Sequence, residues 1–197
     1  MMRIISGSAR GTRLMTLEGE NTRPTLERVK EALFSMIQFE IADARVLDLF
    51  AGSGQLALEA LSRGAADADA VDSSNEANRI IKQNIEKTHM AQKCRLWKMT
   101  SEAFLRTNAG RREYDLVFLD PPYAKGLIPD SLDALDKGGM LSDGAVIVCE
   151  LSASDNEDDI LASDSLRRCY TVRKNASYAR ARIIILDYVK EDVNAKQ

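Results

Sequence analysis

The run Val46-Leu47-Asp48-Leu49-Phe50-Ala51-Gly52-Ser53-Gly54 constrains this chain more than any other stretch of its sequence. It begins as a buried strand, Arg45 to Phe50, and passes through two glycines into a helix from Gln55 to Arg63 that Gly64 ends. Glycine at 52 and 54 lets the backbone reverse sharply and lets a ligand approach where a Cβ would collide. The helix start behind them offers free N–H groups and a positive partial charge to a carboxylate or phosphate. Residues Gly52 to Ala57 fit the G-x-G-x-x-G/A pattern of nucleotide-binding α/β folds, and Asp72 stands at the end of the second strand, where an acid bonds ribose hydroxyls. These residues point to an adenosine-containing ligand and leave NAD, FAD and S-adenosylmethionine open.

From Arg45 onward short β-rich runs alternate with helical ones. The spacing predicts strands at Asp69–Asp72, Cys94–Met99, Tyr114–Leu119 and Ala145–Glu150, and helices at Asn75–Met90, Ser101–Thr107, Pro129–Lys137 and near Asp158–Ala162. Tyr114–Leu119 is apolar almost throughout, as an interior parallel strand is. Arg168–Lys174 and Arg182–Tyr188 read as a final pair with no room for a crossover helix, hence antiparallel. Before the alternation, Arg3–Leu17 reads as a hairpin turning around Gly7–Gly11. Thr25–Ile41 reads as an amphipathic helix with Val29, Leu33, Met36, Ile37 and Ile41 on one face. The expected architecture is a mainly parallel sheet with helices on both faces.

Asp120-Pro121-Pro122-Tyr123 follows the fourth strand, on the ligand side of such a sheet. Two prolines end the ladder and fix a rigid corner. That corner presents a carboxylate, a carbonyl and an aromatic ring in set positions. An exocyclic amine of a nucleobase is a poor nucleophile because its lone pair is delocalised into the ring. Two hydrogen bonds accepted from the amine, by the Asp120 carboxylate and the Pro121 carbonyl, favour the pyramidal geometry that exposes the lone pair. Tyr123 is suited to stack on the base and align the amine with a methyl group. This second motif favours S-adenosylmethionine.

Charge is segregated despite a net charge of −3. Arg3, Arg10 and Arg13 lie in a stretch with no acid, and so do Arg167, Arg168, Arg173, Lys174, Arg180 and Arg182, while residues 155–164 carry five acids and no base. Local basic segments bind phosphates irrespective of net charge; as isolated features they read equally as solvated faces. Three separated cysteines, Cys94, Cys149 and Cys169, with no cluster at ligand spacing, predict small buried thiols, a reducing compartment and no metal. His89 reads as a surface residue and Trp97 as core. No apolar run approaches the length of a membrane span, and no apolar leader follows Met1.

Taken together, Arg3-Ile4-Ile5-Ser6-Gly7, Arg10-Gly11, Arg23-Pro24-Thr25, Arg28 to Phe34, Val46 to Gly54, Leu58 to Ala65 and Asp115 to Tyr123 resemble the bacterial 16S rRNA guanine(966)-N2 methyltransferases of the RsmD type. These are class I S-adenosylmethionine-dependent enzymes with an (N/D)-P-P-Y motif. The match runs almost end to end, and its N-terminal block is the specific part.

The resemblance implies an α/β, Rossmann-like class I methyltransferase: a seven-stranded, mostly parallel sheet with an antiparallel last strand, helices on both faces, and an N-terminal β-hairpin and helix. It implies an RNA-contacting extension at residues 1–22 with Arg3, Arg10, Arg13 and Arg23, a methyltransferase domain at 23–190, and a flexible tail at 191–197. Cofactor contacts would come from Thr25, Asp48, Ala51, Gly52, Ser53, Gly54, Asp72, Ser73, Thr100 and Ser101, and the flipped guanine would sit on Asp120, Pro121, Pro122 and Tyr123. The implied partner is 16S rRNA in the 30S subunit or a late assembly intermediate, met by a cytoplasmic monomer with no membrane partner. Adenine N6 in DNA, a glutamine side chain in protein, an NAD(P)-dependent oxidoreductase and a non-catalytic RNA-binding factor with a dead cofactor site are the weighed alternatives. The chain departs from the family pattern at Thr100-Ser101, where an acid is usual near the adenine amine, at Tyr178-Ala179 instead of Tyr-Gly, and at Asp72, where Glu is common.

Overall fold

The structure is a computed structural model that describes residues 2–17, 24–122, 126–152, 155, 157–178 and 181–190; of Pro24, Thr25 and Leu26 it describes the backbone. The chain divides into two compact units, Met1–Phe104 and Leu105–Gln197. Seven strands make a mostly parallel sheet, three from the first unit in the order β3-β2-β1 and four from the second in the order β4-β5-β7-β6.

In the first unit, α1 (Pro24–Met36) precedes β1 (Arg45–Asp48), α2 (Gln55–Ser62), β2 (Asp67–Asp72), α3 (Asn75–Thr88) and β3 (Cys94–Lys98). β1 pairs parallel with β2 in the register Val46 to Ala68, and β2 pairs parallel with β3. Val46, Leu47, Ala68, Ala70 and Val71 are fully buried, as residues of interior parallel strands are. The helix expected over Thr25–Ile41 stops at Met36. Ile37 and Ile41 are buried from a turn, so an apolar stripe outlasted the helix that began it.

In the second unit, β4 (Tyr114–Leu119), α5 (Leu127–Lys137), β5 (Leu141–Ser152), α6 (Glu157–Ile160), α7 (Asp164–Cys169), β6 (Tyr170–Ser177) and β7 (Ala181–Tyr188) follow α4 (Ser101–Asn108). β4 and β5 are parallel, and β7 lies antiparallel between β5 and β6. Tyr178 N–H donates to the Ala181 carbonyl at 2.8 Å, closing the short β6–β7 connection that precludes a crossover. The strand expected from Arg168 begins at Tyr170 because α7 claims Arg168 and Cys169. Ser163 caps α7 by accepting from Leu166 N–H, a signal too brief for periodicity to reveal. Two of the basic residues of this segment are neutralised locally, Arg167 by Asp158 and Arg173 by Asp187. Cys94, Cys149 and Cys169 are free and buried, as expected.

Residues 2–17 form a looped arm. Arg3 and Arg13 make an isolated antiparallel bridge, Leu14 N–H donates to the Met2 carbonyl, and Ile4 exchanges bonds with Thr12 and Gly11. This is a hairpin reduced to one bridge, and it is fastened to α2 rather than to another strand. Glu59, fully buried, accepts from Ile5 N–H at 2.8 Å, Ser6 N–H at 3.0 Å and Arg63 Nε at 2.8 Å, with Lys30 Nζ at 3.4 Å. Lys30 also donates to the Arg3 carbonyl at 2.7 Å. Burial pulls the Lys30 ammonium below its ordinary value, against the opposing pull of Glu59. Ser62 completes the attachment: its Oγ donates to the Ser6 carbonyl and accepts from Ala9 N–H, and its own carbonyl accepts from Ser8 N–H.

Gly7 sits where arm and helix touch, with φ +83°. A Cβ there would lie 1.7 Å from the Ser62 carbonyl oxygen, whereas at Gly11, φ +85°, it would meet nothing within 4 Å. Gly11→Ala is therefore expected to cost about 1–2 kcal/mol, the penalty of a left-handed residue. Gly7→Ala is expected to cost about 3 kcal/mol or more and to detach the arm. Urea denaturation gives the two losses, and limited proteolysis within residues 2–17 reports detachment; equal losses in the two variants would contradict this account.

Candidate active site

β1 ends at Asp48, and the chain must reach the start of α2 at Gln55 within six residues. Gly52 (φ +55°) and Gly54 (φ +76°) take the left-handed conformations that this needs. Ala51 N–H donates to the Val71 carbonyl at 2.9 Å, so the turn is stitched to the end of β2. Gly54 occupies the N-cap position of α2 with no side-chain cap. Some of the first N–H groups of that helix are thereby left to be satisfied from outside the helix, and Ala57 N–H reaches back to Asp48 Oδ2 at 3.2 Å.

Asp48 is buried, and its other oxygen, Oδ1, has no hydrogen-bond partner among the described residues. Burial pushes its carboxyl up to about 7; the nearby Asp72 adds to the rise, and the N–H groups of Ala57 and Phe50 oppose it. An orphaned carboxylate oxygen behind a glycine turn is costly unless something else uses it.

Asp72, at the carboxyl end of β2, accepts from Gly52 N–H at 2.9 Å through Oδ2 and from Ser74 N–H at 2.8 Å through Oδ1. Each oxygen keeps a further lone pair, which leaves it able to receive hydroxyls. Ser73 is exposed beside it. Ser74 caps α3 by accepting from Ala77 N–H, and Asn78 Nδ2 donates to the carbonyls of Asp72 and Ser74. After β3, the Thr100 hydroxyl accepts from Ala103 N–H at 3.2 Å. The hydroxyl that stands where the family usually has an acid thus serves as a helix cap and keeps one lone pair. Ser101 follows at the first position of α4.

Ala51 and Ser53 are buried, and the Ser53 hydroxyl points at Met2 Sδ, 3.5 Å away, so Ser53 offers the turn its backbone and not its side chain. Thr25 lies in the first turn of α1.

In the second unit, β4 delivers the chain to a half-buried Asp120, then a buried Pro121 and an exposed Pro122. Neither proline has an N–H to continue the ladder, so the strand stops at Leu119. Tyr123 lies outside the described residues. In the arm, Arg3 pairs with Glu27 at 2.9 Å, while Arg10 and Arg13 are exposed and make no ion pair among the described residues; Arg23 is outside them. No group of three or more His, Cys, Asp or Glu at metal-holding positions occurs among the described residues. Likewise, no helix among them is long and apolar enough to cross a membrane. His89, exposed, ends α3 in a left-handed conformation (φ 58°). Trp97 is half-buried, donates to Asp69 at 2.8 Å and meets the Phe104 ring edge-on. Residue types alone did not single out Glu59 or Asn84. For Asn84 the available signal was its place on the apolar face of α3, between Ile81 and Ile85.

A glycine turn after the first strand, an acid after the second and an antiparallel β7 place the chain among Rossmann-like α/β methyltransferase folds. An Escherichia coli structure provisionally described as the methyltransferase yhhF superposes with a TM-score of 0.82 at 28% identity, covering 96% of this chain and 99% of that one. The Escherichia coli protein named Ribosomal RNA small subunit methyltransferase D is 35% identical over 167 residues, which is 85% of this chain and 83% of that protein. Its Haemophilus influenzae namesake is 34% identical over 150 residues, 76% of this chain and 78% of that protein. Residues 2–178 match the family described as Conserved hypothetical protein 95, and the chain belongs to that family, the RsmD family.

The state of Asp48 is open to direct measurement. The folded chain holds a proton between about pH 4 and 7 that the unfolded chain, at its ordinary value of 3.8, has released. This stabilising contribution is complete below pH 4 and is lost as pH rises through 7, about 4 kcal/mol in all. Between pH 5 and 8 the wild type is expected to lose about 3 kcal/mol more than Asp48→Asn, read from urea midpoints at the two pH values. Parallel slopes would refute a buried, protonatable Asp48.

Proposed function

We propose that this protein transfers a methyl group from S-adenosylmethionine to the exocyclic N2 amine of a guanine in 16S rRNA, at the 966-type position, within the cytoplasmic 30S subunit or a late assembly intermediate. The observation that carries the cofactor reading is the unpartnered Oδ1 of buried Asp48 behind the Gly52–Gly54 turn. A buried carboxyl oxygen that protein groups leave unsatisfied, and that a neighbouring cation would hold ionised, suits a ligand bearing a sulfonium and an ammonium charge better than the pyrophosphate of NAD or FAD. The rRNA reading comes from the relatives' names and from Arg10 and Arg13 on the arm, exposed and without an ion pair among the described residues. Those arginines and Arg23 are assigned to phosphates. Arg3, already paired with Glu27, has the smaller share.

S-adenosylmethionine, when bound, supplies a methyl group on a sulfonium that departs as a neutral thioether, so no covalent enzyme intermediate is required. Asp48 faces the cationic end, Gly52 to Gly54 let the backbone approach, and Asp72 with Ser73 takes the ribose hydroxyls. Thr100 and Ser101 border the adenine, and Thr25 lies toward the cofactor carboxylate. Asp120 and the Pro121 carbonyl accept the two N–H bonds of the guanine amine, and Tyr123 stacks on the ring. As the nitrogen–carbon bond forms and the carbon–sulfur bond breaks, the amine becomes cationic and gives its proton to Asp120 or water. Residues 1–22 form the RNA-contacting extension, 23–190 the methyltransferase domain and 191–197 the tail of a monomer.

Labelled S-adenosylmethionine incubated with this protein and 30S subunits from a strain lacking the modification is expected to label 16S rRNA at one guanine. Asp120→Ala is expected to lower kcat by about 10²–10³ with cofactor affinity held within a few-fold. Arg10→Ala with Arg13→Ala is expected to raise KM and flatten its salt dependence, with kcat retained. Label absent from rRNA, beside an active control enzyme, would reject the reading.

A further inference from the structure

The arm touches the glycine turn as well as α2, and one side chain makes the connection. Asn84, fully buried on α3, accepts from Met15 N–H at 2.8 Å through Oδ1 and donates through Nδ2 to the Met15 carbonyl at 2.9 Å and to the Ser53 carbonyl at 2.9 Å. It grips the arm at residue 15 as a neighbouring strand would, with one donor and one acceptor. Its remaining donor holds the carbonyl in the middle of Gly52-Ser53-Gly54. Ser53 in turn directs its hydroxyl at Met2 Sδ, and Met2 is joined to Leu14 through the backbone. The same helix packs Ile81 against Gly54, where a Cβ would lie 3.3 Å from the isoleucine methyl. Neither segment can shift here without breaking a buried bond that the other shares.

We propose that Asn84 is a positioning residue that couples the rRNA-binding arm to the cofactor turn, so that each substrate binds more tightly when the other is present. This rests on the function proposed above. RNA bound by Arg10 and Arg13 orders the arm up to Met15; Asn84 passes that order to the Ser53 carbonyl and hence to the turn. A cofactor arriving afterwards has less freedom left to remove, and linkage makes the effect mutual. Ile5, Ser6 and Ala9 stay tied to α2 through Glu59 and Ser62, so cutting this one connection leaves the arm attached.

The test is equilibrium dialysis of labelled S-adenosylhomocysteine, which binds without reacting, against the full-length protein with and without saturating 30S subunits that lack the modification. For the wild type, Kd is expected to fall at least fivefold when subunits are present. In Asn84→Ala and in Met15→Pro, which deletes the N–H that Asn84 accepts, that ratio is expected to drop below twofold while both variants still co-sediment with subunits. A variant with weakened packing alone would weaken binding in both conditions and keep the ratio. Met15→Pro changes a partly exposed residue and so reads the coupling even if Asn84→Ala does not fold. A wild-type ratio near one, or an unchanged ratio in Met15→Pro, overturns the inference and leaves the proposed reaction standing. Failure of the wild type to bind S-adenosylhomocysteine overturns both.

Discussion

The first unit is organised around a chain reversal that begins at Leu49 and is complete by Gln55. Left-handed glycines make it possible, and it is anchored on both sides: Ala51 and Gly52 donate to Val71 and Asp72 at the end of β2, and Asp48 at the end of β1 accepts from Ala57 inside α2. The direction of α2 is thereby set by the ends of two strands. α2 in turn carries Glu59 and Ser62, the residues that hold the arm. A change in the reversal would therefore move the arm as well as the ligand cradle, although they lie far apart in sequence.

Glu59 and Asp48 are both buried carboxylates of this assembly, and their surroundings differ in an informative way. Glu59 faces two backbone N–H groups, an ammonium and a guanidinium, so the cost of dehydrating its charge is offset. Asp48, by contrast, has Ala57 N–H on Oδ2, no cation paired with it among the described residues, and a carboxyl raised to about 7. Compensation of that quality marks a carboxylate that fastens structure. Its lack at Asp48 is the physical basis for the proposal that a ligand supplies the missing partner.

What the sequence made legible follows the same division. The β1–turn–α2 unit, β4 and α3 were readable because glycine, proline and apolar periodicity each act within a few residues. The antiparallel β6–β7 pair followed from the length of its connection. α7 was hidden because six residues capped by Ser163 show no period, and the stop of α1 at Met36 was hidden because Ile37 and Ile41 continue its stripe from a turn. The candidate acids and glycines were visible as motifs. The support for them was not: Glu59 looks like any surface glutamate of an amphipathic helix until Ile5 and Ser6 are seen above it, and Asn84 earns its meaning from Met15, 69 residues away.

The two units also meet different physical demands. A cofactor with a fixed shape and charge is suited by a cradle of backbone N–H groups and carboxylates whose positions are set by strand ends, and the proposed cofactor site draws on residues 48 to 101 of the first unit for this. A weakly nucleophilic amine asks for directional acceptors that do not relax as it changes geometry. In the proposed reaction Asp120 and Pro121 would meet that need, because β4 holds them on one side and the following proline stiffens the other, leaving little reorganisation for the moment of reaction. In the arm, Arg10 and Arg13 are exposed and make no ion pair among the described residues, while Ile5, Ser6 and Ala9 are tied to α2. On the proposed function, RNA would be met by long exposed side chains of the arm, and Asp120 and Pro121 would act from the end of β4.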